Sequence, residues 1–251
     1  MRLQCLTRPS TCLNGLMPTQ PIAIARRFNG PASSGNGGYV CGLLAREIEG
    51  PSTVTLRAPP PLETPLTLER DGGRVRLMYE SAVIAEAEPA AFDLVAPPAP
   101  TLTQAQAARA RYRGLLHHRY PTCFTCGTGR PLYDGLEIYT GPVEEAPMVA
   151  CTWIPAADLA DDTGCVASEF IHAALDCPTY WALPRAGDMA ALLARLTSSI
   201  DAPLPRVGET MVVAAWPISS EGRKHRGASA VYTADGALIA RAEALWIEPR
   251  A

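Results

Sequence analysis

The sequence lacks any apolar run of the roughly 18–20 residues that a membrane-spanning helix needs. It also lacks a strong net charge, because its 251 residues carry a formal charge of −3 at pH 7. A balanced charge gives no electrostatic reason to expect nucleic acid or an anionic membrane as a partner. Polar residues interrupt segment 1–17, which makes it a poor signal peptide. We therefore expect a cytoplasmic protein with no membrane partner.

Disulfides are not expected, although the number of cysteines is even. Cys41 and Cys177 fall among apolar residues of predicted helices, where a free thiol behaves as a small buried hydrophobe. Without a secretory signal, reduced thiols are the better prediction. The eight cysteines are at positions 5, 12, 41, 123, 126, 151, 165 and 177.

One short segment occurs twice. Residues 81–88 read Ser-Ala-Val-Ile-Ala-Glu-Ala-Glu, and residues 236–243 read Gly-Ala-Leu-Ile-Ala-Arg-Ala-Glu. Each copy follows a helix candidate and strand-like runs. The repeat predicts two half-length units of one design, and two such units create a seam at which a site can be shared.

The first unit is predicted over residues 25–90, after a flexible arm over 1–24. Its helix candidate begins near Tyr39, is capped by Ser34 or Asn36, and is stopped by Gly50. Strand candidates follow at 53–58, at 66–80 with a fold at 71–73, and at 82–87.

A proline-rich linker with a Cys-x-x-Cys segment is predicted over 91–135, and the second unit over 136–251. In the second unit the helix candidate covers 167–183. Both units have the order helix, strand, hairpin, strand. The remaining candidates are a helical run at 105–116 and strands at 136–139, 148–154, 193–200, 210–218, 228–233 and 237–246.

A helix wrapped by an antiparallel sheet, duplicated in one chain, resembles the double hotdog fold of acyl-CoA thioesterases over roughly residues 25–250. Asn36-Gly37-Gly38 looks like the Gly-Gly turn before the central helix of this superfamily. Ala173-Ala174-Leu175-Asp176 is similar to the second-half helix of type II acyl-CoA thioesterases, in which an aspartate is catalytic. The resemblance implies an α+β double hotdog that acts on a thioester of coenzyme A or a carrier protein. It implies no cofactor and leaves homo-oligomer formation open.

The sequence departs from the type II pattern in one respect. That family supports its aspartate with a hydroxyl residue on the next strand and a glutamine on the last strand. Ser198 and its neighbours Thr197 and Ser199 are candidates for the hydroxyl, but the strand around Glu243 has no glutamine. Two alternatives to a hydrolase therefore stay open: a hotdog hydratase or dehydratase, and a non-catalytic protein that binds acyl thioesters.

Asp176 is the leading catalytic candidate. A carboxylate on a largely buried helix is costly without a partner or a task, and this one is predicted to act as general base or nucleophile. The alternative is that Asp176 caps a helix that restarts at Pro178. His172 lies four residues earlier on the same helical face, where it either orients Asp176 or is a satisfied interior histidine.

Asn36, Gly37 and Gly38 are the matching candidates for an oxyanion hole. Glycines let a ligand approach backbone N–H groups closely, and a helix N-terminus favours developing negative charge. The alternative is a tight turn with no chemical role. If the two helices pack side by side, this turn and Asp176 would form one site.

Two further clusters have less defined roles. Cys123 and Cys126 form a single Cys-x-x-Cys, whereas zinc needs about four ligands. The pair could have a structural role, bind a metal or take part in redox chemistry. We expect a structural turn without metal. Arg223, Lys224 and Arg226 lie in a hairpin bend, which is either a solvated loop tip or a site for the phosphates of coenzyme A.

Overall fold

The computed structural model describes residues 21–250, so most of the predicted arm over 1–24 lies outside the described residues. The fold is α+β, with three α-helices and one antiparallel sheet in this range. The helices are α1 (Gly37–Ala45), α2 (Leu102–Arg109) and α3 (Ser168–Trp181). The strands are β1 (Ile22–Ala23), β2 (Ser52–Leu56), β3 (Pro65–Asp71), β4 (Arg74–Tyr79), β5 (Ala82–Pro89), β6 (Gly141–Pro142), β7 (Val149–Trp153), β8 (Leu192–Ile200), β9 (Met211–Glu221), β10 (Lys224–Thr233) and β11 (Leu238–Ile247). Between residues 21 and 250, no helix is long and apolar enough to cross a membrane.

The sheet is built from two halves that meet at one strand pair. Its order is β1-β3-β4-β5-β2-β8-β11-β10-β9-β7-β6, so β2 and β8 join the halves. At this junction the Thr53 and Thr197 hydroxyls are 2.8 Å apart. The repeated segments occupy β5 and β11, and each of these lies directly beside the junction strand of its own half. The predicted double hotdog architecture is confirmed, and so is the repeated order of helix, strand, hairpin and strand.

Most predicted elements differ from the observed ones only at their ends, but one strand prediction is wrong. Residues 136–139 form no strand. Instead, the Leu136 N–H donates to the Phe124 carbonyl and the Ile138 N–H donates to the Thr125 carbonyl. Glu137 has a φ of 54°, which interrupts an extended backbone, and the hydrogen bonds of the segment support the Cys123–Cys126 turn rather than a sheet edge.

The two central helices pack on one face of the sheet, and α2 packs on the other. Alternate residues of a strand point to opposite faces, which separates the two cores. Val213 and Val231 pack in the large core that contains α1 and α3. Their neighbours Ala214 and Ala230 pack instead with Ala105 of α2. Strands β9 and β10 are therefore buried on both faces, which agrees with their mainly apolar sequences.

Two glycines allow α1 and α3 to cross at very short range. A Cβ atom at Gly38 would lie 2.4 Å from Asp176 Cβ and 2.7 Å from the His172 carbonyl oxygen. A Cβ atom at Gly42 would lie 2.4 Å from Glu169 Cα. Residues four apart lie on the same face of a helix, so both glycines face α3. This spacing brings the backbone of α1 directly against the chain that carries Asp176.

We expect Gly42→Ala to destabilise the protein. An exposed Gly→Ala change in a helix is normally stabilising, but here the methyl group would overlap the backbone of Glu169. The loss should be about 1–3 kcal/mol in urea denaturation. Gly129→Ala is the control, because its nearest contact would be 3.3 Å and its loss should be smaller. Unchanged stability of Gly42→Ala would contradict the close crossing.

Candidate active site

A cavity of about 580 Å³ opens where the first turn of α1, the middle of α3 and the start of β8 meet. Its walls are mainly apolar and include Leu193, Trp181 and Trp246. Gly37 and Asp176 also line it, from α1 and α3 respectively. The cavity lies between the two halves of the fold, which is where the repeat predicts a shared site.

Asp176 is held at this seam by two donors from α1. The Gly38 N–H donates to Asp176 Oδ2 at 2.8 Å, and the Asn36 side-chain amide donates to the same oxygen at 3.3 Å. The second oxygen, Oδ1, is buried and has no hydrogen-bond partner among the described residues. A buried carboxylate oxygen normally has a partner, so Oδ1 of this cavity-lining residue has a hydrogen-bonding capacity that no described residue uses.

Local sequence explains why these groups meet. Asn36 is the N-cap of α1, where its side-chain Oδ1 accepts the Tyr39 N–H at 2.8 Å. Capping fixes the amide, so that its Nδ2 group points at Asp176. Asp176 lies inside α3, which continues without interruption through Pro178 to Trp181. The alternative that Asp176 caps a helix restarting at Pro178 is therefore wrong.

Side-chain hydroxyls donate to the carbonyls on either side of Ala174, whose own helical hydrogen bond is lost because Pro178 has no N–H. The Thr125 hydroxyl donates to the Ala173 carbonyl at 3.1 Å, and the Ser229 hydroxyl donates to the Leu175 carbonyl at 2.6 Å. The Thr179 hydroxyl donates to the carbonyl of Asp176 itself at 2.6 Å. These bonds fix the helix segment that carries the carboxylate.

The environment of Asp176 raises its pKa to about 7. Burial is the largest cause, since it disfavours the charged carboxylate. The hydrogen bond from Gly38 acts in the opposite direction, a negative charge on the nearby sulfur of Cys123 raises the pKa further, and the amide of Asn36 lowers it. A general base works best when its pKa lies near the working pH, so this environment suits proton transfer near neutrality.

The structure separates the roles of the two glycines. The Gly38 N–H is already bound to Asp176, so it is not free to bind a substrate oxygen. The Gly37 N–H has no acceptor among the described residues, and Gly37 lines the cavity. Of the donors predicted for an oxyanion hole, Gly37 is therefore the one still available, whereas Asn36 and Gly38 position Asp176.

Two other predicted site residues do not reach the cavity. Ser198 is buried on β8, is not part of the cavity wall and has no hydrogen-bond partner among residues 21–250. His172 is buried in α3, where its Nδ1 atom lies 2.8 Å from the Ser168 carbonyl oxygen. Burial lowers the pKa of His172, so the imidazole is neutral and donates to that carbonyl. The alternative of a satisfied interior histidine therefore fits the structure.

Two of the three predicted phosphate-binding residues have protein partners. Arg226 pairs with Glu243, and Arg223 donates to the Glu248 carbonyl at 2.6 Å. Lys224 is exposed on β10. Sequence reasoning missed Arg119, which is exposed at the cavity wall and forms no ion pair with any described residue. Its signal was weak, because it lies in a loop without a recognisable motif.

Three thiols meet on the cavity wall, which no local motif predicted. Cys123 and Cys126 lie beside Cys177 of α3, and the three sulfur atoms lie within 4.8 Å of one another. The Nε2 atom of His118 is 3.3 Å from Cys126 Sγ. Sequence reasoning considered only ligands near the Cys-x-x-Cys, so it missed Cys177, which is brought there by the packing of the loop on α3.

Known structures with the same architecture cover most of this chain. The tesB protein of Mycobacterium avium subspecies paratuberculosis is 16% identical, with a TM-score of 0.56 over 88% of this chain and 90% of that one. A conserved protein of unknown function with a hot dog fold from Alicyclobacillus acidocaldarius is 12% identical, with a TM-score of 0.54 over 90% of both chains. Acyl-CoA thioesterase II TesB2 from Mycobacterium marinum is 13% identical, with a TM-score of 0.53 over 91% of this chain and 92% of that one.

These similarities establish the double hotdog fold of the chain. No protein-family model matches the sequence, and no curated protein matches it either. The fold and the cavity are therefore the basis for any functional assignment.

We expect Asn36→Ala to destabilise the protein more than the loss of an ordinary helix N-cap does. The change removes the cap of α1 and a donor to the buried carboxylate of Asp176, for a total of roughly 2–4 kcal/mol. Thr101→Ala is the matched control, because the exposed Thr101 caps α2 and donates to no buried acid. Its cost should be about 1 kcal/mol. Equal costs in urea denaturation would show that the amide adds nothing to Asp176.

Proposed function

We propose that this protein hydrolyses acyl thioesters, with Asp176 as the general base. The observation that carries the proposal is the asymmetry of this buried carboxylate. One oxygen is anchored by Gly38 and Asn36, and the other is buried without a partner on a residue that lines the cavity. Acyl-CoA thioesterase II TesB2 is named for thioester hydrolysis and has a similar fold, which supports the proposed activity.

The proposed reaction needs one water molecule and no cofactor. Asp176 Oδ1 accepts a proton from water as the water oxygen attacks the carbonyl carbon of the thioester. The carbonyl oxygen gains negative charge and is stabilised by the Gly37 N–H at the N-terminus of α1. When the intermediate collapses, the carbon–sulfur bond breaks and Asp176 returns the proton to the leaving sulfur. The products are a carboxylic acid and a free thiol.

The same geometry allows direct attack by Asp176 on the carbonyl, which would form a mixed anhydride and release the thiol before water enters. We favour the water route because Oδ2 is held by two donors. Both donors hold the carboxylate in one orientation and leave Oδ1 to accept a proton from water, which is the arrangement that a general base needs.

The substrate is proposed to be an acyl-CoA thioester, with an acyl-carrier-protein thioester as the alternative. The apolar walls at Leu193, Trp181 and Trp246 suit an acyl chain. Arg119 has no protein partner among the described residues and is placed to pair with a phosphate. Arg223, Lys224 and Arg226 are secondary candidates, since two of them already have protein partners.

A hydratase or dehydratase is the second candidate, because His118 lines the same cavity as Asp176. A hydratase histidine needs a free ring nitrogen. Here the Tyr120 N–H donates to Nδ1 at 3.1 Å, and Nε2 faces Cys126 Sγ at 3.3 Å. Both nitrogens of His118 are engaged, so hydrolysis is the better proposal.

We expect thiol release from a panel of acyl-CoA substrates, and Asp176→Asn should lower kcat by roughly 10²–10⁴-fold. Asparagine keeps the shape of the side chain but cannot accept the proton. Asp188→Asn is the control, because Asp188 is exposed and lies outside the cavity wall. Activity of Asp176→Asn within a few-fold of the parent would exclude the general base.

Enoyl-CoA substrates should be included in the same panel. Loss of enoyl absorbance without thiol release would favour the hydratase. Ligand-induced thermal stabilisation without any turnover would favour a binding protein.

We expect Arg119→Ala to raise KM for acyl-CoA roughly fivefold, since an exposed charge pair contributes about 1 kcal/mol. KM for the matching acyl-N-acetylcysteamine thioester should not change, because that substrate has no phosphate groups. Arg206→Ala is the control for the loss of one surface charge, because Arg206 is exposed and lies outside the cavity wall. An equal rise in KM for both substrates would mean that Arg119 contacts no phosphate.

A further inference from the structure

We propose that Cys123, Cys126 and Cys177 bind a zinc ion on the wall of the cavity. The inference rests on the positions of the three sulfur atoms and does not depend on the proposed thioesterase activity.

The sulfur atoms have the spacing of zinc ligands. In a tetrahedral site with zinc–sulfur bonds of about 2.3 Å, two thiolates lie about 3.8 Å apart. Cys123 Sγ and Cys177 Sγ are 3.7 Å apart, and the whole group lies within 4.8 Å. Small side-chain rotations would bring all three onto one ion. The group contains only thiols, which are soft ligands that favour zinc over magnesium or calcium.

The loop that presents two of these cysteines is firmly held. Its turn is closed by a hydrogen bond from the Gly127 N–H to the Cys123 carbonyl at 2.9 Å. Only glycine fits at 127, because a Cβ atom would lie 2.4 Å from the Pro121 carbonyl oxygen. The Thr125 hydroxyl ties the loop to the carbonyl of Ala173, one helical turn before Cys177. Metal sites require this kind of supporting contact to keep their ligands together.

Donors surround the sulfur atoms, as expected around zinc thiolates. The Asn36 amide nitrogen lies 3.8 Å from Cys123 Sγ. Because the Tyr120 N–H donates to Nδ1 of His118, a neutral imidazole carries its proton on Nε2, and that N–H faces Cys126 Sγ at 3.3 Å. We therefore assign His118 as a hydrogen-bond donor to the site rather than as a ligand.

The fourth coordination position then belongs to water or to a ligand in the cavity. All three cysteines line the cavity, together with Asp176, which directly precedes Cys177. A zinc site with three protein ligands and an open position is the arrangement that catalytic zinc sites use, whereas structural sites are closed by four protein ligands. The ion would lie beside the carboxylate and within reach of a bound molecule.

The first test is the metal content of the purified full-length protein, prepared without chelators and with any affinity tag removed. After loading with zinc and exchange into metal-free buffer, we expect about one zinc ion per chain. Cys126→Ser and Cys177→Ser should each retain less than about a tenth of this amount, because two thiolates hold zinc far more weakly than three. Cys151→Ser is the matched control, since Cys151 is a buried thiol outside the group and the variant should keep its zinc.

The second test uses the unaltered chain and does not depend on the folding of variants. Replacement of zinc by cobalt(II) should give thiolate-to-cobalt charge-transfer bands in the near ultraviolet and the intense visible bands of a tetrahedral site. His118→Gln should keep these bands if His118 is a donor to Cys126. Asp176→Asn should also keep them while losing thioester hydrolysis, which separates this proposal from the proposed function.

Three results would overturn the metal site. The first is substoichiometric metal after loading, with no cobalt charge-transfer bands. The second is an equal zinc content in Cys126→Ser and Cys151→Ser. The third is a Cys123–Cys177 disulfide as the resting state of freshly purified protein, which would indicate that the short sulfur–sulfur distance serves redox chemistry.

Discussion

The hydrogen bond from the Gly38 N–H to Asp176 Oδ2 is the contact on which the site depends. It joins the first turn of one central helix to the middle of the other, and so joins the two halves of the chain. The bond requires a close crossing of α1 and α3. Glycine at positions 38 and 42 allows this crossing, because a Cβ atom at either position would overlap α3. The same approach buries Asp176 and removes its carboxylate from water, and this burial is the main reason that its pKa rises to about 7.

Each half of the duplicated fold contributes what the other half lacks. The first half supplies a capped helix N-terminus with two glycines, and the second supplies the acid. Internal symmetry brings the two helices together on one face of a continuous sheet, but the site itself is asymmetric. At the opposite end of the crossing, Gly42 of α1 faces Glu169, which forms an ion pair with Arg46 at 3.5 Å. One end of the helix crossing therefore forms the site, and the other end is structural.

The inserted segment between the halves has more than a linking role. Residues 102–109 cover the outer face of the second half of the sheet, while the Cys123–Cys126 turn packs against α3 and completes the cavity wall. This turn places polarisable sulfur atoms beside the carboxylate. The amide of Asn36 contacts both groups, since its Nδ2 atom is 3.3 Å from Asp176 Oδ2 and 3.8 Å from Cys123 Sγ. The carboxylate and the thiols therefore form one connected polar environment in an otherwise apolar cavity.

The sequence by itself determined the features that follow from local pattern. The repeat at 81–88 and 236–243 gave the duplicated order of elements, and the Asn36-Gly37-Gly38 turn and Asp176 were recognisable from their neighbours along the chain. Contacts between distant segments were decided only by the tertiary structure. It joined Cys177 to Cys123 and Cys126, assigned the Gly38 N–H to the carboxylate, and left Ser198 and His172 outside the cavity. The physical reason is that a side chain's burial and partners depend on how helices cross and loops pack, and these distances are not encoded in spacing along the sequence.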